Sequence, residues 1–173
     1  MTTLLLSHPA CLQHDTGAGH PESAQRLAAV LAALDHPDFA AVRRIEAPRA
    51  SLAELGLVHP APYIQQVLDA VPRMGYRRLD ADTVLSPASG EAALRAAGAV
   101  VEAVRQVVDG RARSAFCAIR PPGHHARPLQ AMGFCLFSNI AIGALYARGL
   151  GLARVAALDF DVHHGNGTQE VFE

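Results

Sequence analysis

The chain has 173 residues, half of them hydrophobic, with 15 Lys and Arg against 16 Asp and Glu. That length and apolar content suit one domain with a real core, since a domain usually takes ~100–200 residues. The near-balanced charge, with no dense basic run, excludes a phosphate-gripping nucleic-acid footprint.

The opening "MTTLLLSHPA" has no basic stretch ahead of its leucines and does not read as a secretion signal. "TLLLSH" (3–8) predicts a short buried strand, followed by a turn-rich loop "PACLQHDTGAGHP". "PESAQRLAAVLAALDH" (21–36) predicts a helix with Pro21 in its first turn and Glu22 at the positive end of its dipole. Its apolar face would carry Leu27, Val30, Leu31 and Leu34. "AVRRIEA" (41–47) reads as an edge strand and "PAPYIQQVLDAV" (60–71) as a second helix. The strongest helix pattern covers 89–109 and stops at Gly110, where a left-handed cap suits glycine. Glu102 and Arg105 interrupt it, so no membrane span is expected. "SAFCAIR" (114–120) reads as a buried strand running into Pro121 and Pro122. A helix over 138–149, opened by Ser138 or Asn139 and closed by Gly149, precedes a last strand over 153–161. Apolar strands separated by helices imply an α/β fold with a parallel sheet covered on both faces, and a ligand site beyond the carboxyl ends of the strands. Cys11, Cys117 and Cys135 form no C-x-x-C pair, which fits reduced thiols in a cytoplasmic protein.

Two clusters carry the chemistry. In "DFDVHHGNGT" (159–168), period-two alternation would put Asp159, Asp161 and His163 on one side of the strand exit, and an oxygen and a nitrogen at i and i+2 suit a borderline ion such as zinc. A charge at Asp159, at the end of a buried apolar strand, would need a partner. In "RPPGHHA" (120–126), a stiff proline pair and Gly123 lead to adjacent imidazoles, whose ordinary pKa of ~6.5 suits proton transfer near neutral pH. Both clusters would open onto one face.

"GHPESAQR", "RPPGHHA", "MGFCLFSNIAIGA" and "LDFDVHHGNGTQ", in this order, resemble the successive signatures of the zinc-dependent histone deacetylase family, with its acetylpolyamine and acetoin-utilisation relatives. The resemblance implies a three-layer α/β/α arginase-like fold, of which residues 1–173 would be the N-terminal part of a single domain. It implies Asp161 and His163 as Zn2+ ligands, His124 and His125 as the active-site pair, Asp159 behind His124 and Asn166 behind His125. A carboxylate biases an imidazole toward imidazolium and an amide leaves it free to cycle as base and acid, so His125 is the expected proton shuttle. Gly133 and Phe134 resemble the narrow acyl-lysine channel, with plain core packing as the alternative for Phe134. Arg26 resembles an arginine beside an internal cavity, or forms a helix-surface salt bridge. Asp80 or Asp82 would be a rim carboxylate gripping substrate, and the segment around Asp159, Asp161 and His163 resembles a site for a monovalent cation, K+.

The implied activity is hydrolysis of acetyl-lysine or a similar acylated amine, with no direct nucleic-acid partner. The resemblance also implies a third ligand aspartate and a Gly-x-Tyr tyrosine beyond "HHGNGTQ"; Tyr63, Tyr76 and Tyr146 carry no such motif. The family sheet has eight parallel strands, and the strand at 153–161 would have both its neighbours outside this sequence. Two readings stand: the N-terminal half of a metal-dependent deacylase, inactive alone, or a non-catalytic remnant that binds a metal or a partner.

Overall fold

The computed structural model describes residues 2–173. Its centre is a parallel sheet of three strands in the order β2-β1-β5, with β1 at Thr3–Ser7, β2 at Arg43–Glu46 and β5 at Ser114–Cys117. Alternation along β1 explains the layers. Leu4 and Leu6 pack on one face with Ala99 and Ala103 of α5 (Ser89–Val108), while Leu5 packs on the other with Cys11, Leu27 and Ala118. Both faces of β1 are therefore dry, as a parallel strand between helices requires, whereas β5, expected as a buried strand over 114–120, is shorter and leaves Phe116 50% exposed because no strand lies on its outer side. β2 lies at an edge, as its two exposed arginines suggest.

The helix over 21–36 is shorter than expected. α2 runs Ala24–Ala33 with Ser23 at its N-cap, so Pro21 precedes the helix, and Val30 is 39% exposed rather than on the packed face. Leu27, Leu31 and Leu34 make the contact with the sheet. α4 covers Ala61–Asp69 and α6 covers Asn139–Gly149, close to their predicted spans. Gly110 has φ 71°, the left-handed conformation that ends α5. Gly149 stays helical, and the left-handed glycine beyond α6 is Gly151. The sequence pattern gave no sign of α1 (Ala10–Gln13) or of the short antiparallel pair β3 (Arg77–Arg78) and β4 (Val84–Leu85). α3 (Leu52–Leu55) is opened by a capping box between Ser51 and Glu54.

α5 is lined with alanine because it is gripped closely on several sides. A Cβ on Gly98 would sit 2.1 Å from the carbonyl oxygen of Pro48, and one on Gly143 of α6 would sit 2.4 Å from Val100 Cγ1. Small residues let the long helix settle between the sheet, α6 and the loop at 48–50. No described helix is long and apolar enough to cross a membrane.

The strand expected over 153–161 does not form, and it is not buried. Leu158, Phe160 and Val162 are 91%, 95% and 92% exposed. The sheet ends at β5, so this segment has no ladder partner. Local bonds replace the ladder: Asp159 accepts from the Asp161 N–H at 3.1 Å and Asp161 from the His163 N–H at 2.8 Å. Short carboxylate side chains often capture the backbone two residues on in this way. The chain then closes with α7, Asn166–Phe172.

Exposed apolar side chains on an unpaired backbone give a measurable expectation. Amide exchange on the 173-residue chain should be fast over 153–163 and slow in α5, and light scattering should detect association. A monodisperse monomer with 153–161 strongly protected would contradict this.

Candidate active site

The two histidines of the loop after β5 stand side by side, ring centroids 4.0 Å apart, each backed by a different group. His124 Nδ1 lies 2.8 Å from Asp159 Oδ2, and His125 Nδ1 lies 2.7 Å from Asn166 Oδ1. Both partners come from the segment that follows α6. An amide oxygen can only accept, so His125 carries its proton on Nδ1 and presents the Nε2 lone pair. The bond from His124 holds the Asp159 carboxyl below its ordinary range. Asp159 therefore has the partner that its charge requires, although it is half-exposed rather than buried, with its side chain at 39% exposure.

Close backbone contacts fix this arrangement. The Thr168 N–H donates to the His124 carbonyl at 3.1 Å, and a Cβ on Gly167 would lie 2.2 Å from the Ala126 carbonyl oxygen. α7 can rest on the histidine loop only because residue 167 has no side chain. On the opposite side, Gly133 has φ 56° and its Cβ would stand 2.4 Å from His125 Cδ2. Glycine is thus required at 133 both for its backbone conformation and for its contact with the ring.

Gly133, His125 and Asn166 line one cleft of about 330 Å³ together with Asp80, Asp82 and Met132. Asp80 spends its carboxylate on the loop itself, accepting from the Asp82 and Thr83 N–H groups at 3.0 and 2.7 Å. Asp82 is exposed at the rim. Phe134 has φ 69° and is half-buried, its N–H donating to Thr83 Oγ1 at 3.2 Å and its ring set edge-on to His20 at 4.9 Å. It stands next to the cleft-lining Gly133 and belongs to none of the core clusters. His124, Asp159 and Asp161 line a neighbouring cleft of about 410 Å³.

Asp161 and His163 are adjacent, with Asp161 Oδ1 3.2 Å from His163 Nδ1, and the His163 ring is 6.2 Å from that of His125. The backbone N–H of His163 holds the Asp161 carboxyl low. One oxygen and one nitrogen are suitable zinc donors, but catalytic zinc normally takes three protein ligands. Among the described residues no group of three or more His, Cys, Asp or Glu is arranged to hold a metal ion. The donor set fits only part of such a site. Cysteine supplies no substitute, because burial pushes the thiols of Cys117 and Cys135 up to about 12. All three cysteines are free.

Arg26 is exposed on α2 and borders no internal cavity. The buried arginine is Arg120, 4% exposed, paired with Glu22 at 2%. Arg120 Nη2 reaches Glu22 Oε2 at 2.7 Å, Nε donates to Oε1, and Nη1 donates to the carbonyls of Cys11 and His14 at 2.8 Å each. Sequence reasoning read Glu22 only as a helix-dipole residue; a charge closing the apolar run "SAFCAI" was the signal for Arg120. Tyr63 donates to the Leu136 carbonyl and Tyr76 to Asp15, so neither reaches the cleft.

A parallel α/β domain with one imidazole backed by a carboxylate and its neighbour by an amide defines the class. The sequence matches the histone deacetylase domain over residues 20–173, and the chain belongs to that family. It is 41% identical over 163 residues to the histone deacetylase-like amidohydrolase of Pseudomonas aeruginosa, covering 93% of this chain and 43% of that protein. To histone deacetylase 15 of Arabidopsis thaliana it is 40% identical over 156 residues, covering 89% and 28%. The crystal structure of the HDA15 HD domain matches with a TM-score of 0.94 and 36% identity, covering 99% of this chain and 50% of that one. The fold is thus arginase/deacetylase-like, and the chain spans half or less of the length of these relatives.

His14, 1% exposed, gives the site region a pH signature. Burial lowers its pKa from 6.5 to about 4, against the opposing pull of Glu22. Its folded value lies below its unfolded one, so the unfolded chain binds the proton first as pH falls. Stability should drop by on the order of 3 kcal/mol between pH 6.5 and 4, and no further from this group below that. Urea unfolding of the protein and a His14→Gln variant at pH 7 and 4.5 checks this: the variant should lose less, and equal losses would refute it.

Proposed function

We propose that this chain supplies half of the active site of a metal-dependent amide hydrolase that removes the acetyl group from lysine or a similar acylated amine. The observation that carries the reading is the differently backed histidine pair, at 2.8 Å from Asp159 and 2.7 Å from Asn166. Family membership supports the reaction class. In this reading Asp161 and His163 are zinc ligands, and the ion, when bound, polarises the acyl carbonyl and acidifies a water molecule. The carbonyls and carboxylates of the same segment would take K+.

His125 is the proton carrier. With Nδ1–H given to Asn166, its Nε2 can accept a proton from the attacking water and deliver it to the departing amine. His124, beside the Asp159 carboxylate, is suited to hold positive charge near the developing oxyanion. Gly133 lets the cleft wall lie directly against the His125 ring, Phe134 beside it would pack on the alkyl stem of a substrate, and Asp82 offers the rim an acceptor for a substrate amide. A third ligand and an oxyanion-stabilising hydroxyl would come from residues that the longer relatives carry beyond this span. The two-donor count also favours a second reading for the chain by itself, a partial metal binder without turnover.

Two experiments test the proposal. The 173-residue chain should retain little zinc after dialysis and release no acetate from acetyl-lysine peptides; stoichiometric zinc with turnover would mean that another carboxylate completes the site. In the protein extended to the length of its relatives, His125→Ala should keep its metal and lose about 10²–10⁴ in turnover, the scale of general acid–base catalysis. Asp161→Ala should lose the metal. Full activity in His125→Ala would move the proton-carrying role to His124.

A further inference from the structure

We infer that the buried Glu22–Arg120 ion pair is a positioning device that sets the histidine loop and the rim of the cleft in register with each other. The inference rests on the hydrolase reading for its functional meaning and on geometry for its existence.

Arg120 lies three residues beyond the end of β5, where the histidine loop begins. Its guanidinium spends all three nitrogens inside the protein: Nε and Nη2 on Glu22, Nη1 on the Cys11 and His14 carbonyls. The first residue of the loop is therefore fixed to α1 and to the turn before α2. From there to His124 the backbone has little freedom. Pro121 and Pro122 fix φ, and a Cβ on Gly123 would lie 2.6 Å from the Asn139 N atom. The far end is held by the Thr168 N–H on the His124 carbonyl.

Glu22 extends the same constraint to the rim. Its N–H donates to His20 Nδ1 at 3.1 Å, which leaves the His20 proton on Nε2 to donate to the Asp82 carbonyl at 2.9 Å. The His20 ring meets Phe134 edge-on. The ion pair thus holds His124 and His125 through Arg120, while the backbone N–H of the same Glu22, fixed in place by that pair, holds Asp82 and Phe134 through His20.

Stability alone is a poor reason for such a pair. Desolvating two charges offsets most of their attraction, and apolar residues of similar volume often serve as well, whereas removing one partner strands a buried charge. What apolar residues cannot reproduce is the direction of the four bonds made by the guanidinium. Turnover depends on direction, since a displacement near 1 Å can cost about 10²-fold.

The test separates packing from positioning. Glu22→Leu, Arg120→Met and the double variant are made in the 173-residue chain and, for kinetics, in the protein extended to the length of its relatives. Each single variant should lower Tm. The double variant should recover Tm to near the parent value yet keep the imidazole NMR resonances of His124, His125 and His20 displaced, with kcat for acetyl-lysine release down about 10²-fold at a temperature well below Tm. Parent-like resonances and kcat in the double variant would overturn the inference and reduce the pair to filler. Should the double variant not fold, Arg120→Lys decides. It keeps the charge but lacks the forked geometry, so displaced resonances support positioning and parent-like ones overturn it. An extended parent without acetyl-lysine turnover would sink the hydrolase reading and leave the resonance test of positioning intact.

Discussion

The placing of the histidine pair traces back to where the chain leaves its sheet. β5 is the last strand, and three residues beyond its end stands a charged residue that would be costly to bury alone. Arg120 is only 4% exposed, so its charge has to be met internally, and Glu22 and two carbonyls meet it. The alternative, a loop swinging free of α1 and α2, would put the guanidinium in water and take His124 and His125 with it. Satisfying one buried cation therefore fixes a pair of imidazoles four and five residues later.

From that anchor the division between the imidazoles follows. They are chemically identical and adjacent, and differ only in what lies behind Nδ1. A carboxylate oxygen lies behind His124, and behind His125 an amide oxygen, which can only accept and so fixes the tautomer. Both backing groups arrive on one segment, which can approach because Gly165 and Gly167 lack side chains. A Cβ at 165 would come 2.4 Å from Asp159 Oδ2, inside the very hydrogen bond that orients His124. The glycines of "HHGNGT" thus act less as turn-formers than as clearance around the two hydrogen bonds.

Much of this was legible in the sequence because it is local. The apolar run of β1, the long helix α5, its cap at Gly110 and the pairing of His124 with Asp159 and of His125 with Asn166 all follow from short patterns or from motif resemblance. Three things were not legible, each because a distant contact decides it. Glu22 looks like an ordinary N-terminal acid, since nothing in "GHPESAQR" shows that a residue 98 positions later will bury it. Arg26, given an internal-cavity role by the resemblance, is exposed on α2, off the face that Leu27, Leu31 and Leu34 turn to the sheet. The strand over 153–161 has the composition of a strand, but strands are defined by neighbours. With the sheet ending at β5, Asp159 and Asp161 captured their own backbone instead.

That exposed segment couples two properties that would otherwise be independent. Leu158, Phe160 and Val162 alternate with Asp159, Asp161 and His163, so in an extended conformation the apolar side chains point one way and the polar ones the other. Burying a side chain of the first kind is worth about 1.5–3 kcal/mol, so covering all three releases several times the thermal energy. A strand laid alongside would pair the backbone between them, and that pairing would replace the two local bonds that Asp159 and Asp161 now make with the N–H groups two residues on. Those carboxylate oxygens would then be freed. Asp159 would keep its hold on His124 through the other oxygen, Oδ2; for Asp161 the change would leave an oxygen available to a cation beside His163. In such a pairing, apolar burial on one side of the segment and donor availability on the other would come together, which gives a physical reason for placing candidate metal ligands on a strand rather than on a loop.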